Sequence, residues 1–136
     1  MGRLIALDYG QKRTGIAETD DLQIIASGLT TVNTADLFKF LVQYFEKHEV
    51  DAIILGEPKK LNGEATHNTE PVLALKAKLT GTFGHIPVVM IDERFTSKMA
   101  VQTMIDSGLS KKKRQNKALV DEISATIILQ SYMNSL

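Results

Sequence analysis

The chain contains no cysteine and only three prolines among its 136 residues. Without cysteine there can be no disulfide bond, no thiolate catalysis and no zinc site built on sulfur. The apolar runs are short, and none reaches the roughly 20 residues that a membrane-spanning helix needs. The start of the chain also lacks the basic and then apolar profile of a secretion signal. We therefore expect a cytoplasmic protein without a membrane partner.

An excess of charge is missing as well, because 16 basic and 16 acidic residues give a formal net charge of zero. Global charge therefore does not predict nucleic-acid binding, and any such role must depend on local patches. Hydrophobic residues make up 43% of the chain and charged residues 24%, as is usual for soluble globular proteins. The length suits one substantial core, so we expect a single domain over residues 1–136.

The pattern of apolar residues predicts an α/β protein. Three β-like segments come first, and helices and strands then alternate, which gives the order βββαβαβα plus a final helix. A meander followed by right-handed parallel crossovers produces a mixed five-stranded sheet with helices on both faces. The predicted strands cover 3–8, 14–18, 24–32, 52–55 and 87–91. The predicted helices are one capped by Thr34 and ending near His48, one over 70–79, one capped by Thr96 or Ser97 and stopped by Gly108, and one over 117–133.

The first strand ends on a carboxylate, Asp8, at the position where open α/β sheets keep their ligand sites. Gly10 and Gly15 follow, and two glycines so close together favour a tight turn into the second strand. Lys12 and Arg13 lie between them, where they could face a phosphate. The alternative is a plain β-hairpin with a solvated acid at its mouth.

Other acids are expected at the same edge of the sheet, because the carboxyl ends of the central strands meet there. Glu57 follows the fourth strand and Asp92-Glu93 follows the fifth. Converging carboxylates are what Mg²⁺ binds in proteins, and two such ions can activate a water towards a phosphodiester. The alternative for each acid alone is a solvated strand end. Asp121 on the last helix is a further candidate, because the small residues beside it suit close packing of that helix against the sheet edge. The helical pattern alone does not choose between Asp121 and Glu122, and an acid in a first helical turn is also ordinary.

The strongest local charge feature of the chain is the basic segment Lys111-Lys112-Lys113-Arg114, with Lys117 after it. It is suited to contact a phosphate backbone beside the acids, while the alternative is a solvated loop. The candidate nucleic-acid-binding residues are Lys12, Arg13, Lys59, Asn62, Arg94, Lys111, Lys112, Lys113, Arg114 and Lys117. The three histidines have no metal-ligand spacing.

Four ordered motifs resemble the YqgF family, also called RuvX. They are Ile5-Ala6-Leu7-Asp8-Tyr9-Gly10-Gln11-Lys12-Arg13-Thr14-Gly15, Gly56-Glu57-Pro58-Lys59 with Asn62-Gly63, Asp92-Glu93-Arg94-Phe95-Thr96-Ser97, and Asp121 with Ile127 through Tyr132. The resemblance covers essentially the whole chain. It implies an RNase H-like fold, distantly similar to the Holliday-junction resolvase RuvC. It also implies a nuclease dependent on Mg²⁺ or Mn²⁺ that matures the 5′ end of the 16S rRNA precursor.

By this resemblance the catalytic acids, which are also the metal ligands, are Asp8, Glu93 and Asp121. Family members often carry an apolar residue at the position of Glu57, whereas other RNase H-like enzymes place an acid near the end of this strand. Glu57 is therefore a candidate supplementary metal ligand, and it competes with Glu93 for the place of the second acid. The implied partner is nucleic acid, either precursor rRNA or branched DNA. Whether the protein is a monomer or a homodimer stays open.

Three other functions compete with cleavage of RNA. One is a nuclease specific for four-way DNA junctions. A second is the nucleotide-binding actin and sugar-kinase fold, which has a similar phosphate loop but needs two related domains. A third is a weakly catalytic RNA-binding assembly factor whose acids are vestigial.

Overall fold

The computed structural model describes residues 2–57, 69–92, 102, 105 and 116–136. Within these ranges the bounded elements are β1 (Arg3–Tyr9), β2 (Arg13–Thr19), β3 (Ala26–Asn33), α1 (Leu37–Lys47), β4 (Val50–Glu57), α2 (Thr69–Thr82), β5 (Val88–Asp92) and α3 (Lys117–Asn134). The helix predicted between Thr96 and Gly108 lies outside the described residues, apart from Gln102 and Ile105, which are helical. None of the helices described has the length and apolar character needed to cross a membrane.

The strands form one mixed sheet in the order β3-β2-β1-β4-β5. The β1–β2 and β2–β3 pairs are antiparallel, whereas β1–β4 and β4–β5 are parallel. This confirms the predicted meander with parallel crossovers. It also confirms that the carboxyl ends of β1, β4 and β5 lie at one edge of the sheet.

The helices cover both faces of the sheet, as predicted. Alternate side chains of a strand point to opposite faces, and Ile5, Leu7, Ile53 and Leu55 pack with α1 and α2 in one buried cluster. Leu4, Ala6, Ala52 and Ile54 pack with α3 in a second cluster on the other face. Asp8 shares the alternation of Leu4 and Ala6, so it belongs to the α3 face.

Two glycines allow α3 to lie directly on the sheet. Gly10 follows β1 in the turn, whereas Gly15 lies inside β2, within the predicted second strand, and pairs with Asp8. A methyl group on Gly15 would overlap the main-chain carbonyl of Asp121, and one on Gly28 would lie 2.6 Å from Oε1 of Glu122. The helix therefore crosses the face of β1, β2 and β3, rather than packing at the edge of the sheet as its small residues had suggested.

The starts of the third strand and of α1 differ from the prediction. The third strand starts at Ala26 instead of Ile24, because the carboxylate of Asp20 accepts hydrogen bonds from the main-chain amides of Ile24 and Ile25, both at 2.8 Å. Thr34 does not cap α1, because a short 3₁₀ turn over Thr34–Asp36 precedes that helix. Asp36 takes the N-cap position of α1.

Ser124 offers a test of how tightly α3 packs against the sheet. Its hydroxyl is buried and has no hydrogen-bond partner among the described residues. We expect Ser124→Ala to raise the free energy of unfolding by about 1 kcal/mol, since an unpaired buried hydroxyl is costly and alanine favours the helix. Urea denaturation measures the change.

Ser131→Ala is the matched control, because Ser131 is on the same helix but exposed. It gains only the helix propensity of alanine, so its stabilisation should be smaller. Equal effects of the two substitutions would mean that the hydroxyl of Ser124 has a partner.

Candidate active site

Five predicted site residues line one cavity of about 370 Å³ at the carboxyl end of β1. Two are acids that come from opposite ends of the sequence, Asp8 at the end of β1 and Asp121 in the first turns of α3. The other three are the cations Lys12, Arg13 and Lys117. The structure thus joins two anionic groups and three cationic groups in a single concave site, together with Tyr9, Gly10 and Gln11.

The β1–β2 turn that carries Lys12 and Arg13 is held by Thr34. Its hydroxyl donates to the main-chain carbonyl of Gly10 at 2.5 Å and lies 2.9 Å from the hydroxyl of Thr14. Its main-chain amide donates to the carbonyl of Lys12 at 2.9 Å. Thr34 was predicted as a helix cap, so sequence reasoning missed this role, which depends on a contact across the sheet.

The first turn of α3 is capped by its own preceding residue and is positioned on the sheet by β2 and β3. The side chain of Asn116 caps it by accepting from the amide of Leu119 at 3.3 Å. The hydroxyl of Thr31 on β3 donates to the carbonyl of Ala118 at 2.6 Å. Gly15 makes room for the main chain at Asp121. The position of the Asp121 carboxylate is therefore set by β2 and β3 as much as by its own helix.

Arg13 forms an ion pair with Asp121, with 3.1 Å between Nε and Oδ2. Burial raises the pKa of the Asp121 carboxyl, while Arg13 and Lys117 act in the opposite direction. Nearby positive charge favours the ionised form of a partly buried carboxylate. A second carboxylate, Asp8, lines the same cavity, and carboxylate oxygens are the donors that Mg²⁺ and Mn²⁺ prefer. The donors present therefore fit a hard divalent cation.

Glu57 and Asp92 are neighbours at the same edge, where they pair in the β4–β5 register. By strand alternation, Glu57 is on the same face of the sheet as Ile53 and Leu55, which pack with α1 and α2. Asp8 belongs to the α3 side. Over the described ranges, no group of three or more histidine, cysteine or acidic side chains could hold a metal. Asp8 and Asp121 are therefore the acids that the described site brings together.

The other predicted site residues lie outside the described ranges. They are Lys59, Asn62, Glu93, Arg94, Lys111, Lys112, Lys113 and Arg114. Their roles stay predictions.

Sequence comparison identifies the family. The family model described as "RuvX: Holliday junction resolvase" matches residues 2–135. A protein of Flavobacterium johnsoniae named "Putative pre-16S rRNA nuclease" is 56% identical over 135 residues, which cover 99% of this chain and 98% of that protein. The chain belongs to the RuvX family. A relative of the same name from Phocaeicola vulgatus is also 56% identical, over 99% of this chain and 97% of its own.

Two solved structures with the fold of this RuvX-family chain are described as resolvases in their own right. Fowlpox virus resolvase, in complex with Holliday-junction DNA, matches with a TM-score of 0.64 and 16% identity over 99% of this chain and 98% of its own. RuvC of Thermus thermophilus, with a Holliday-junction substrate, matches with a TM-score of 0.57 and 16% identity over the same shares of both chains. At this identity the likeness shows the fold alone, and it confirms the predicted RNase H-like class.

Proposed function

We propose that this RuvX-family protein is a metal-dependent nuclease that hydrolyses a phosphodiester bond at the 5′ end of the 16S rRNA precursor in the cytoplasm. The observation that carries the proposal is the cavity in which Asp8 and Asp121 meet Lys12, Arg13 and Lys117. Cations suit the phosphates of the substrate, and acids suit the divalent ion that phosphodiester hydrolysis commonly uses. The name of relatives more than 50% identical over nearly their whole length supports rRNA as the substrate.

The proposed reaction divides the work between the acids and the cations of the cavity. A divalent ion held by Asp8, Asp121 and Glu93 would neutralise phosphate charge and assist attack by water. Lys12 and Lys117 bind phosphate oxygens on either side of the scissile bond. Arg13 holds the carboxylate of Asp121 in place through its ion pair. The fixed β1 backbone, paired with Gly15 at Asp8, keeps the first acid in register with the second.

Strand alternation disfavours Glu57 as the third acid. Glu57 and Asp92 pair in the β4–β5 register and have the alternation of the face opposite to that of Asp8. Glu93, which the family resemblance supplies, is therefore the third acid that we propose.

The assignment of Glu93 predicts different metal affinities for two matched variants. Calorimetric titration with Mn²⁺ should show an affinity at least about tenfold lower for Glu93→Gln, because loss of a direct ligand should be no milder than loss of an outer-shell partner. Glu57→Gln removes the same charge from the same edge and should bind Mn²⁺ as the wild type does. The opposite ranking of the two variants would make Glu57 the ligand.

The proposed function is tested with two substrates in one buffer. Wild-type protein is incubated with an RNA that spans the 5′ end of the 16S rRNA precursor and, separately, with a four-way DNA junction. Each reaction contains Mg²⁺, Mn²⁺ or EDTA. We expect discrete RNA cleavage with either metal, none with EDTA, and little cleavage of the junction. Preferred cleavage of the junction would establish the resolvase alternative, and cleavage of neither substrate would overturn the assignment as a nuclease.

A further inference from the structure

A groove larger than the acid cavity lies beside it. Its volume is about 640 Å³, and it is formed by the end of β3, one face of α1 and Ala118 at the start of α3. Arg13 lines both the groove and the acid cavity. Ala118 in the groove follows Lys117 in the cavity along the chain. The two concave surfaces therefore adjoin at Arg13, and we name the larger one the α1 groove.

The polar side chains of the α1 groove suit a nucleic-acid backbone. Arg13 and Lys39 supply two cations, and Asn33 and Gln43 supply amide donors. Lys39 and Gln43 are both exposed and stand four residues apart, on one face of the helix. Asp36 is the carboxylate among the lining residues, and Arg13 also pairs with Asp121, so the groove presents cationic side chains without a net excess of positive charge.

The α1 groove also offers an aromatic surface, the ring of Phe40. This ring is partly exposed and stacks on Tyr44, with 6.0 Å between ring centroids and 25° between ring planes. Tyr44 is buried, with 7% exposure, so Phe40 is supported from within the core. A fixed, accessible ring next to cations is the arrangement that proteins use to stack an unpaired base while binding its phosphates.

We infer that the α1 groove binds a single-stranded segment of nucleic acid that continues from the scissile phosphate, with one base stacked on Phe40 and phosphates near Arg13 and Lys39. The inference rests on the proposed function and adds to it the form of the substrate. A base within a duplex has both faces covered by its neighbours, so stacking on Phe40 requires an unpaired strand. The strand would leave the acid cavity past Arg13.

Binding to an uncleaved strand tests the inference separately from catalysis. Fluorescence anisotropy is measured with a fluorescein-labelled oligoadenylate RNA in EDTA, so that no metal-dependent cleavage occurs. Phe40→Leu keeps an apolar side chain but removes the ring, and we expect its affinity to be about tenfold lower. Phe45→Leu is the matched control, because Phe45 is on the same helix and packs edge-on against Phe83. It should bind as the wild type does, although both variants lose a ring contact.

A scan with abasic residues locates the base on Phe40. Each strand of a series lacks one base, and one position should weaken wild-type binding about tenfold. The same strand should bind Phe40→Leu no more weakly than the intact strand, since the two losses concern one contact. Equal binding of Phe40→Leu and wild type, or abasic losses that are the same in both proteins, would overturn the inference.

The charge of the α1 groove is tested with a second pair of variants. Lys39→Gln should weaken binding, whereas Lys78→Gln, an exposed lysine on α2 that lies over the ring of Phe38, should not. Equal losses from both would indicate general electrostatic attraction and contradict a defined strand path.

A parallel series with DNA of the same sequence distinguishes a groove specific for RNA from one that binds any single strand. If wild-type protein cleaves RNA with metal but the comparison of the variants shows no binding in the groove, only the inference about the α1 groove is refuted. If the comparison of the variants shows binding in the groove but wild-type protein cleaves no RNA, only the proposed nuclease function is refuted.

Discussion

Replacement of Asp8 by asparagine is expected to lower the rate of RNA cleavage at least about a hundredfold while leaving the fold intact. Loss of an outer-shell partner of a metal ligand already costs 10- to 100-fold in affinity or activity, and a direct ligand should matter no less. Asp8 lies at the end of β1 and lines the cavity that also contains Asp121. Asparagine has nearly the same shape, so the backbone pairing of β1 with β2 should be retained. Single-turnover cleavage with saturating Mg²⁺, together with circular dichroism, measures the two effects.

Asp51→Asn is the matched control for Asp8→Asn. Asp51 lies near the start of β4, at the opposite edge of the sheet, where its carboxylate accepts from the amide of Gly2 and the side chain of Gln23. The substitution removes the same charge and should leave the cleavage rate within a few-fold of wild type. Undiminished cleavage by folded Asp8→Asn protein would refute the catalytic role of this residue.

Gly15→Ala is expected to lower the free energy of unfolding by about 3 kcal/mol and the melting temperature by about 10 °C. The added methyl group would overlap the main-chain carbonyl of Asp121. No single side chain can rotate to relieve this overlap, so the whole helix has to move. Because α3 must shift, the carboxylate of Asp121 moves away from Asp8. Cleavage should therefore fall even at temperatures at which the variant is folded.

Gly81→Ala separates this steric effect from the general effect of replacing glycine. Gly81 lies in α2, and a methyl group there meets nothing within 4 Å. Alanine in that helix should raise the free energy of unfolding by about 0.5–1 kcal/mol and leave cleavage unchanged. Differential scanning calorimetry compares both variants with wild type. A Gly15→Ala protein as stable as wild type would mean that α3 does not contact β2 as described.

The sheet could be predicted from the sequence because its signals are local. The continuous apolar run 52–55 and the turn residues after Asp8 locate strands without knowledge of the rest of the chain. The positions of Asp8 and Glu57 at strand ends then follow from strand order. The sequence pattern alone placed them at one edge, but it did not show that they belong to opposite faces.

Contacts between distant segments could not be predicted in this way. The helical pattern did not distinguish Asp121 from Glu122, and only the resemblance to the RuvX family favoured Asp121. The structure separates them, because Asp121 lines the cavity while a side chain at Gly28 would collide with Glu122. The role of Gly15 could not be predicted for the same reason, since it depends on a helix more than 100 residues further along the chain. The ion pair between Arg13 and Asp121 likewise joins residues that are 108 positions apart in the sequence.

The distance in sequence between Asp8 and Asp121 has a consequence for the time at which the site forms. Protein chains are made from the N-terminus, and domains generally fold as units, so β1 emerges early and its acid lacks the partner from α3. Asp121 follows only when α3 has been made and has packed across β2. A nascent chain that lacks α3 therefore carries one acid of the pair and no cavity. The pair of acids, and with it the proposed means to cut RNA, therefore exists only once α3 has been made and has packed on the sheet.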